Sequence, residues 1–131
     1  MDDVATAKRL AANAVAMPEA GPEASVIAHR GFSAAAPENT LAAFAAALTF
    51  GADVVECDVH LSSDGSVMVI HDATVDRTTD GSGAVWSRSE ASLRALDAGA
   101  GEKIPTLAEV LRLVKGRARV LVELKWPKHS V

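Results

Sequence analysis

Charged side chains recur on one face of two otherwise apolar segments. Glu56 and Asp58 lie two residues apart in one segment, and Glu123 and Lys125 do so in the other. Since alternate side chains of a β-strand point to the same face, each pair shares a face if these segments are strands. A strand of a parallel sheet is normally apolar on both faces, so carboxylates there need a cation or solvent. Two interpretations stay open: edge strands whose charged faces meet water, or a site at the strand ends.

Two histidines occupy comparable places in the sequence. His29 and His71 each follow a short apolar segment, and each precedes a charged residue, Arg30 and Asp72 respectively. A histidine at a strand end is often only a polar residue that meets solvent. Imidazole also exchanges protons near neutral pH, and hydrolysis requires this twice, to activate a hydroxyl group and to protonate the leaving oxygen. The pair is therefore a candidate general acid and base.

The charged groups together suit a phosphate ester bound beside a metal ion. Three carboxylates without a cysteine among them favour a hard cation such as Ca²⁺ or Mg²⁺ over zinc. Arg30 and Lys125 carry positive charge that would neutralise a phosphate and its transition state. His60 shares the face of Glu56 and Asp58 and is a candidate extra ligand. These residue types indicate metal-assisted phosphoryl transfer.

Alternating strands and helices are predicted to position these residues. The sequence predicts strands over 25–28, 53–61, 67–70 and 118–125, and helices over 40–50, from Ser87 or Ser89 to about residue 95, and over 106–115. Asn39 or Thr40 is the expected N-cap of the first of these helices, and residues 106–109 fit a capping box. Asp64-Gly65 predicts a hairpin turn. This order implies βαβ units and a parallel α/β sheet, either doubly wound or closed into a barrel.

Composition and charge limit the classes of protein to which the chain can belong. Its 131 residues are 49% hydrophobic and 23% charged, as expected of one globular domain. A formal net charge of −4 gives no electrostatic basis for binding nucleic acid or an anionic membrane. Cys57 is the single cysteine, so no intrachain disulfide can form. No apolar run has the length of a membrane span and no secretory signal is evident, so a cytoplasmic location is expected.

Several short motifs, in order along the chain, resemble those of a known enzyme family. They are Ala28-His29-Arg30-Gly31, Pro37-Glu38-Asn39-Thr40, Val55-Glu56-Cys57-Asp58-Val59, Asp64-Gly65, Val69-Ile70-His71-Asp72, Asp76-Arg77-Thr78-Thr79, Ile104-Pro105-Thr106-Leu107 and Glu123-Leu124-Lys125. Each motif is weak by itself, but their shared order and spacing are specific. Over residues 25–125 the sequence resembles the glycerophosphodiester phosphodiesterases.

The resemblance implies a role for each of the charged groups. It implies that His29 and His71 are the general acid and base, that Glu56, Asp58 and Glu123 bind the divalent metal ion, that Arg30 and Lys125 contact the phosphate, and that Glu38 and Asn39 support the loop around His29. The implied reaction is hydrolysis of a glycerophosphodiester to glycerol 3-phosphate and an alcohol, a step of lipid and glycerol metabolism. The family's motif does not require His60. Cys57, on the opposite face, is expected to be a small buried residue.

The fold that the resemblance implies is a TIM-type (β/α) barrel with its site at the C-terminal ends of the strands. Such a barrel takes about 250 residues, so we expect only its N-terminal half, with about three barrel strands plus a hairpin strand. Residues 1–24 would form a leading helix and linker, and residues 25–131 this partial domain. Two functions stay open: an active phosphodiesterase, or a non-catalytic half-barrel that binds a metal ion or pairs with another half as a homodimer.

Overall fold

A computed structural model describes residues 24–125. In chain order the elements are strand β1 (Ile27–His29), helix α1 (Leu41–Thr49), strands β2 (Val54–Leu61) and β3 (Val67–Val69), a 3₁₀ helix (Val85–Ser87), helices α2 (Glu90–Arg94) and α3 (Leu107–Val114), and strand β4 (Arg119–Leu124). These bounds confirm the strands and helices predicted within this range, with ends moved by one or two residues; the 3₁₀ helix was not predicted. The helix predicted near the N-terminus lies outside the described residues. None of the helices in the described range is long and apolar enough to cross a membrane.

Strand β2 is the centre of the sheet. Strand β1 pairs parallel with residues 54–56 of β2, and β4 pairs parallel with residues 54–59. Since both pair with the same stretch, they lie on opposite edges of β2. Strand β3 returns antiparallel along residues 59–61, so it occupies the same edge as β1. The hairpin predicted from Asp64-Gly65 is thereby confirmed.

The helices begin and end where the sequence provides the appropriate residues. Thr40 accepts a hydrogen bond from the backbone N–H of Ala43 at 3.3 Å, so Thr40 and not Asn39 is the N-cap of α1. Gly51 follows the helix with a φ of 84°, a left-handed conformation that favours glycine. At α3, Thr106 and Glu109 form the predicted capping box. Each such cap stabilises its helix by about 1 kcal/mol.

Within the described residues, α1 and α3 pack against one face of the sheet. Val55 and Cys57 of β2 are buried against Phe44 of α1 and Val110 of α3 in one apolar cluster. Burial raises the pKa of the Cys57 thiol to about 12, as suits a small buried residue. Asp58 points to the opposite face, where the charged residues of β2 lie. Helices on one face only are typical of a barrel wall, whereas a doubly wound sheet has helices on both.

A second apolar cluster supports the long connection between β3 and α3. It consists of Met68, Ile70, Val75, Val85, Leu93, Ala98 and Ile104. Met68 of β3 also forms a bridge with Thr106, just before α3. The connection is therefore held against β3 by its own apolar core, which fixes the polar residues that it carries.

Candidate active site

Two strand ends meet beside the middle of β2. Strand β1 stops opposite Glu56, whereas β3, which runs the other way along the same edge, stops opposite Val59. The backbone N–H of Ile70 continues the pairing with a 2.9 Å hydrogen bond to the carbonyl of Asp58. The segments that follow β1 and β3 therefore converge on one short stretch of β2. This topology explains why the two predicted histidines, far apart in sequence, approach the same region.

Three carboxylates meet on the face of the sheet opposite the helices. Asp58 and Glu123 are register partners on adjacent parallel strands, and Glu56 precedes Asp58 by two residues on the same face. Carboxylate oxygens of the three residues all lie within 4.8 Å of one another. Asp58 is fully buried and Glu56 nearly so, whereas the side chain of Glu123 is 53% exposed. The three predicted acids thus form one acidic cluster.

Cations offset part of the repulsion within this cluster. Burial and then the charge of Asp58 raise the pKa of Glu56. Lys125 Nζ donates to Glu123 Oε1 at 2.7 Å, and this hydrogen bond lowers the pKa of Glu123. Lys125 Nζ also lies 4.0 Å from Asp58 Oδ1, and Arg30 Nε lies 3.5 Å from Asp58 Oδ2. Two cationic side chains therefore face three carboxylates, and the local charge still favours a further cation.

The ligand atoms of the acidic cluster suit a divalent metal ion. Asp58 Oδ1 is buried and has no hydrogen-bond partner among residues 24–125. A buried carboxylate oxygen without a partner is costly, and a bound cation would satisfy it. The converging ligand atoms are carboxylate oxygens, which hard cations such as Ca²⁺ and Mg²⁺ prefer. The residues present therefore fit such an ion.

The loop after β1 folds tightly against these acids. Arg30 and Asn39 have φ values of 58° and 57°, left-handed conformations that are costly for residues other than glycine. Hydrogen bonds offset this strain: the backbone N–H of Arg30 donates to Glu56 Oε1 at 3.2 Å, and Asn39 Nδ2 donates to Asp58 Oδ2 at 3.0 Å. Gly31 has no room for a side chain, because a Cβ would lie 2.7 Å from the backbone of α1. The predicted supporting role of Asn39 thus has a geometric basis.

The two predicted histidines reach the region in different ways. His29 Nε2 lies 4.0 Å from Glu56 Oε1, and its side chain is 67% exposed. His71 Nδ1 lies 2.7 Å from Asp72 Oδ1. A hydrogen bond from Arg77 lowers the pKa of Asp72, so the carboxylate is ionised and can only accept. Nδ1 of His71 therefore carries the hydrogen, which leaves Nε2 available to a substrate.

Comparison with known proteins decides the family of the chain. The family model for the glycerophosphoryl diester phosphodiesterase family matches residues 29–130. The chain belongs to this family. It is 53% identical over 96 residues to a glycerophosphodiester phosphodiesterase of Caldanaerobacter subterraneus, an alignment that covers 68% of the chain and 40% of that protein. It is 47% identical over 116 residues to human glycerophosphodiester phosphodiesterase 1, covering 81% of the chain and 35% of the human protein.

Solved structures of family members share the fold. The glycerophosphodiester phosphodiesterase of Agrobacterium tumefaciens superposes with a TM-score of 0.76 at 43% identity, over 78% of this chain and 47% of that one. A phosphodiesterase of Oleispira antarctica, in complex with the product sn-glycerol-3-phosphate, gives 0.77 at 42% identity, over 80% and 46%. The chain is thus a partial TIM-type (β/α) barrel, and it spans less than half the length of these relatives.

Asp72 and Arg77 make contacts to which sequence analysis gave no role, and His60, a candidate extra ligand, is not a member of the acidic cluster. Asp72 and Arg77 lie in recognised motifs, but only the structure shows Arg77 bonded to Asp72. His60 lies on the acidic face as predicted, and its Nε2–H donates to the backbone carbonyl of His71 at 2.9 Å. The adjacency of His71 and Asp72 was a usable sequence signal for their contact. No periodicity or spacing could have indicated the partners of Arg77, since it lies in an irregular connection.

Proposed function

We propose that the protein to which this chain belongs hydrolyses glycerophosphodiesters to glycerol 3-phosphate and an alcohol, with the help of a divalent metal ion. The proposal rests on one observation: the carboxylates of Glu56, Asp58 and Glu123 converge within 4.8 Å of one another. Family membership supports the substrate class. The complex of the Oleispira antarctica relative with sn-glycerol-3-phosphate supports the product.

The metal ion would be Ca²⁺ or Mg²⁺, held by the three carboxylates of the acidic cluster. A divalent cation at such a site supplies polarisation of the phosphodiester and offsets negative charge on its oxygens. Arg30 and Lys125 would contact the phosphate. Their side chains are 22% and 26% exposed, so both can reach a bound anion while they stay beside Asp58. Together these cations lower the cost of placing a phosphate next to buried carboxylates.

His29 and His71 would carry out the two proton transfers. One imidazole takes a proton from the attacking hydroxyl group, which belongs to the glycerol moiety or to water, as the new P–O bond forms. The other gives a proton to the alkoxide that departs as the old P–O bond breaks. Asp72 holds Nδ1–H of His71, so the exchange at His71 takes place at Nε2. Glu38 and Asn39 would hold the loop that carries His29 and Arg30.

Hydrolysis of glycerophosphocholine tests the proposal. Release of glycerol 3-phosphate should require added Ca²⁺ or Mg²⁺ and stop when a chelator is added. Glu123→Gln should weaken binding of the metal ion, measured by calorimetry, by at least tenfold, because one of its three carboxylate ligands is lost. Glu90→Gln on α2 is the matched control, since α2 contributes no residue to the acidic cluster, and should bind as the unchanged chain does. Equal affinity in all three proteins would refute the metal site.

His71→Ala tests the proposed proton transfer separately from the metal ion. Loss of a general acid or base should lower turnover by a factor on the order of 10² to 10⁴. Metal affinity should hardly change, because His71 is not a member of the acidic cluster. A variant that turns over at a near-normal rate would remove His71 from the mechanism.

A second function is favoured by one observation about the edges of the sheet. Ile27 on β1 and Leu121 on β4 are 54% and 53% exposed, and among residues 24–125 each of these strands pairs only with β2. Exposed apolar edges favour pairing with another chain. The alternative is therefore a non-catalytic half-barrel that binds a metal ion or assembles with a second copy. Light scattering, which gives the oligomeric state, and the glycerophosphocholine assay together decide between the two functions. A folded monomer that hydrolyses glycerophosphocholine contradicts the assembly function, and an inactive dimer supports it.

A further inference from the structure

Arg77 connects two loops that are distant in sequence. Its Nε and Nη2 donate to the two oxygens of Asp72, at 2.8 and 3.0 Å. Its Nη1 and Nη2 donate to the two oxygens of Glu38, at 2.7 and 3.1 Å. One guanidinium group therefore holds two carboxylates, each through both of its oxygens. Glu38 belongs to the loop after β1 and Asp72 to the connection after β3.

Each of the two carboxylates also accepts a hydrogen bond from a residue of the proposed active site. Asp72 Oδ1 accepts from His71 Nδ1 at 2.7 Å. Glu38 Oε2 accepts from Arg30 Nη1 at 3.1 Å, and Arg30 in turn faces Asp58. An ion-pair chain thus runs from His71 through Arg77 to the acidic cluster.

Arg77 is poorly suited to bind the phosphate itself. All three of its side-chain nitrogens already donate to carboxylates, and four of its five N–H groups are used. An isolated exposed ion pair contributes little, but a pair of two-oxygen contacts within a network has a defined geometry. The arrangement is therefore one that orients other groups.

We propose that Arg77 is a positioning residue that fixes the His71 imidazole, through Asp72, relative to the loop that carries Arg30. The inference rests on the proposed function, because it assigns Arg77 to the orientation of the proposed proton-transfer residue. The backbone of His71 has a separate anchor, since its carbonyl accepts from His60. Loss of Arg77 should therefore release the ring of His71 while the strand end stays in place.

Arg77 also fixes the orientation of the Asp72 carboxylate that accepts from His71, because it holds both Asp72 oxygens. The hydrogen bonds from Arg77 lower the pKa of Asp72 and the pKa of Glu38. An ionised Asp72 holds the imidazole as the tautomer with hydrogen on Nδ1 and a lone pair on Nε2. Without Arg77, the Asp72 side chain is free to rotate away from His71. The neutral imidazole should then populate both tautomers, because no fixed acceptor favours hydrogen on Nδ1.

Nuclear magnetic resonance of the chain with ¹⁵N-labelled histidine tests the inference without requiring turnover. At a pH where the imidazole is neutral, the ring nitrogen shifts of His71 should report hydrogen on Nδ1. Arg77→Met should abolish the dominance of this tautomer, while the backbone amide spectrum stays folded. Arg77→Lys should not restore it, because one ammonium group cannot hold both oxygens of two carboxylates. It also serves as the second variant if Arg77→Met fails to fold.

Arg88→Met is the matched control. Arg88 lies in the same connection, but its side chain donates to Ser82 and Ser92 and to neither carboxylate. It should leave the His71 ring shifts unchanged. Unchanged shifts in Arg77→Met, or equal changes in Arg77→Met and Arg88→Met, would overturn the inference. A chain that shows the expected shifts but no hydrolysis would contradict the proposed function alone.

Discussion

Strands β2 and β4 lie side by side and both carry acids of the proposed site, yet their surroundings differ. All six residues from Val55 to His60 of β2 are buried, whereas none of the residues of β4 is. Strand β2 has paired strands on both edges, and the loop after β1 covers its acidic face. Strand β4 has, among residues 24–125, a partner on one edge only.

Carboxylates that are equivalent as proposed metal ligands therefore contribute unequally to the stability of the fold. Asp58 is fully buried and accepts from Asn39 while it faces Arg30, so its charge holds the site together before any metal ion binds. Glu123 is held by Lys125 in a half-exposed pair, and solvent screens that contact. We therefore expect substitutions of the buried residues of β2 to lower the free energy of unfolding and those on β4 to change it little.

The largest effect is expected for Asp58→Ala. Removal of this buried carboxylate takes the hydrogen-bond acceptor from the Asn39 amide and the nearest negative charge from Arg30 Nε, at a cost of about 3 kcal/mol in the free energy of unfolding. Glu123→Ala should leave the metal-free chain as stable as before, although both variants lose a proposed metal ligand. Urea denaturation without metal measures the contrast. Equal midpoints for the two variants would contradict the expected difference in stability between β2 and β4.

Apolar side chains of the two strands should show the same contrast more weakly. Val55 and Leu124 point to the same face of the sheet, but Val55 is fully buried and Leu124 is 72% exposed. Val55→Ala should lower the free energy of unfolding by about 2 kcal/mol, because it removes two methyl groups from the core. Leu124→Ala should change it by less than about 0.5 kcal/mol. A larger loss at Leu124, measured in the same denaturant series, would mean that β4 is covered in solution.

The smallest effect concerns pH. Arg77 lowers the pKa of Asp72 and Glu38, so its pairs contribute stability above the unfolded pKa values, near pH 4, and lose it as the pH falls further. Arg77→Met should therefore cost about 1 kcal/mol at pH 7 and a smaller amount at pH 3, where the loss has begun because that pH lies below the unfolded pKa values. Lys125→Met, which removes the exposed pair with Glu123, should cost little at either pH. Thermal melts of the three proteins at both pH values test this, and a pH-independent loss in Arg77→Met would contradict the assignment.

Local patterns made most of the elements predictable. Caps such as Thr40 and the Thr106–Glu109 box act within one helical turn, so they can be read without knowing the fold. Alternation along β2 predicted which side chains share a face, and the order of the strands brought Glu123 beside Asp58. The sequence did not predict that the charged face of β2 would be buried and that of β4 exposed, because burial depends on what packs from elsewhere in the chain.

The family, the βαβ order and the set of chemically capable residues could be predicted from the sequence, because residue type and short-range spacing encode these directly. How those residues meet could be seen only in the folded chain. It placed the ends of β1 and β3 against one edge of β2 and folded Arg30 and Asn39 into left-handed conformations over Asp58. It also joined Glu38 to Asp72 through Arg77. Such contacts depend on distances between segments remote in sequence, which only the packed chain sets.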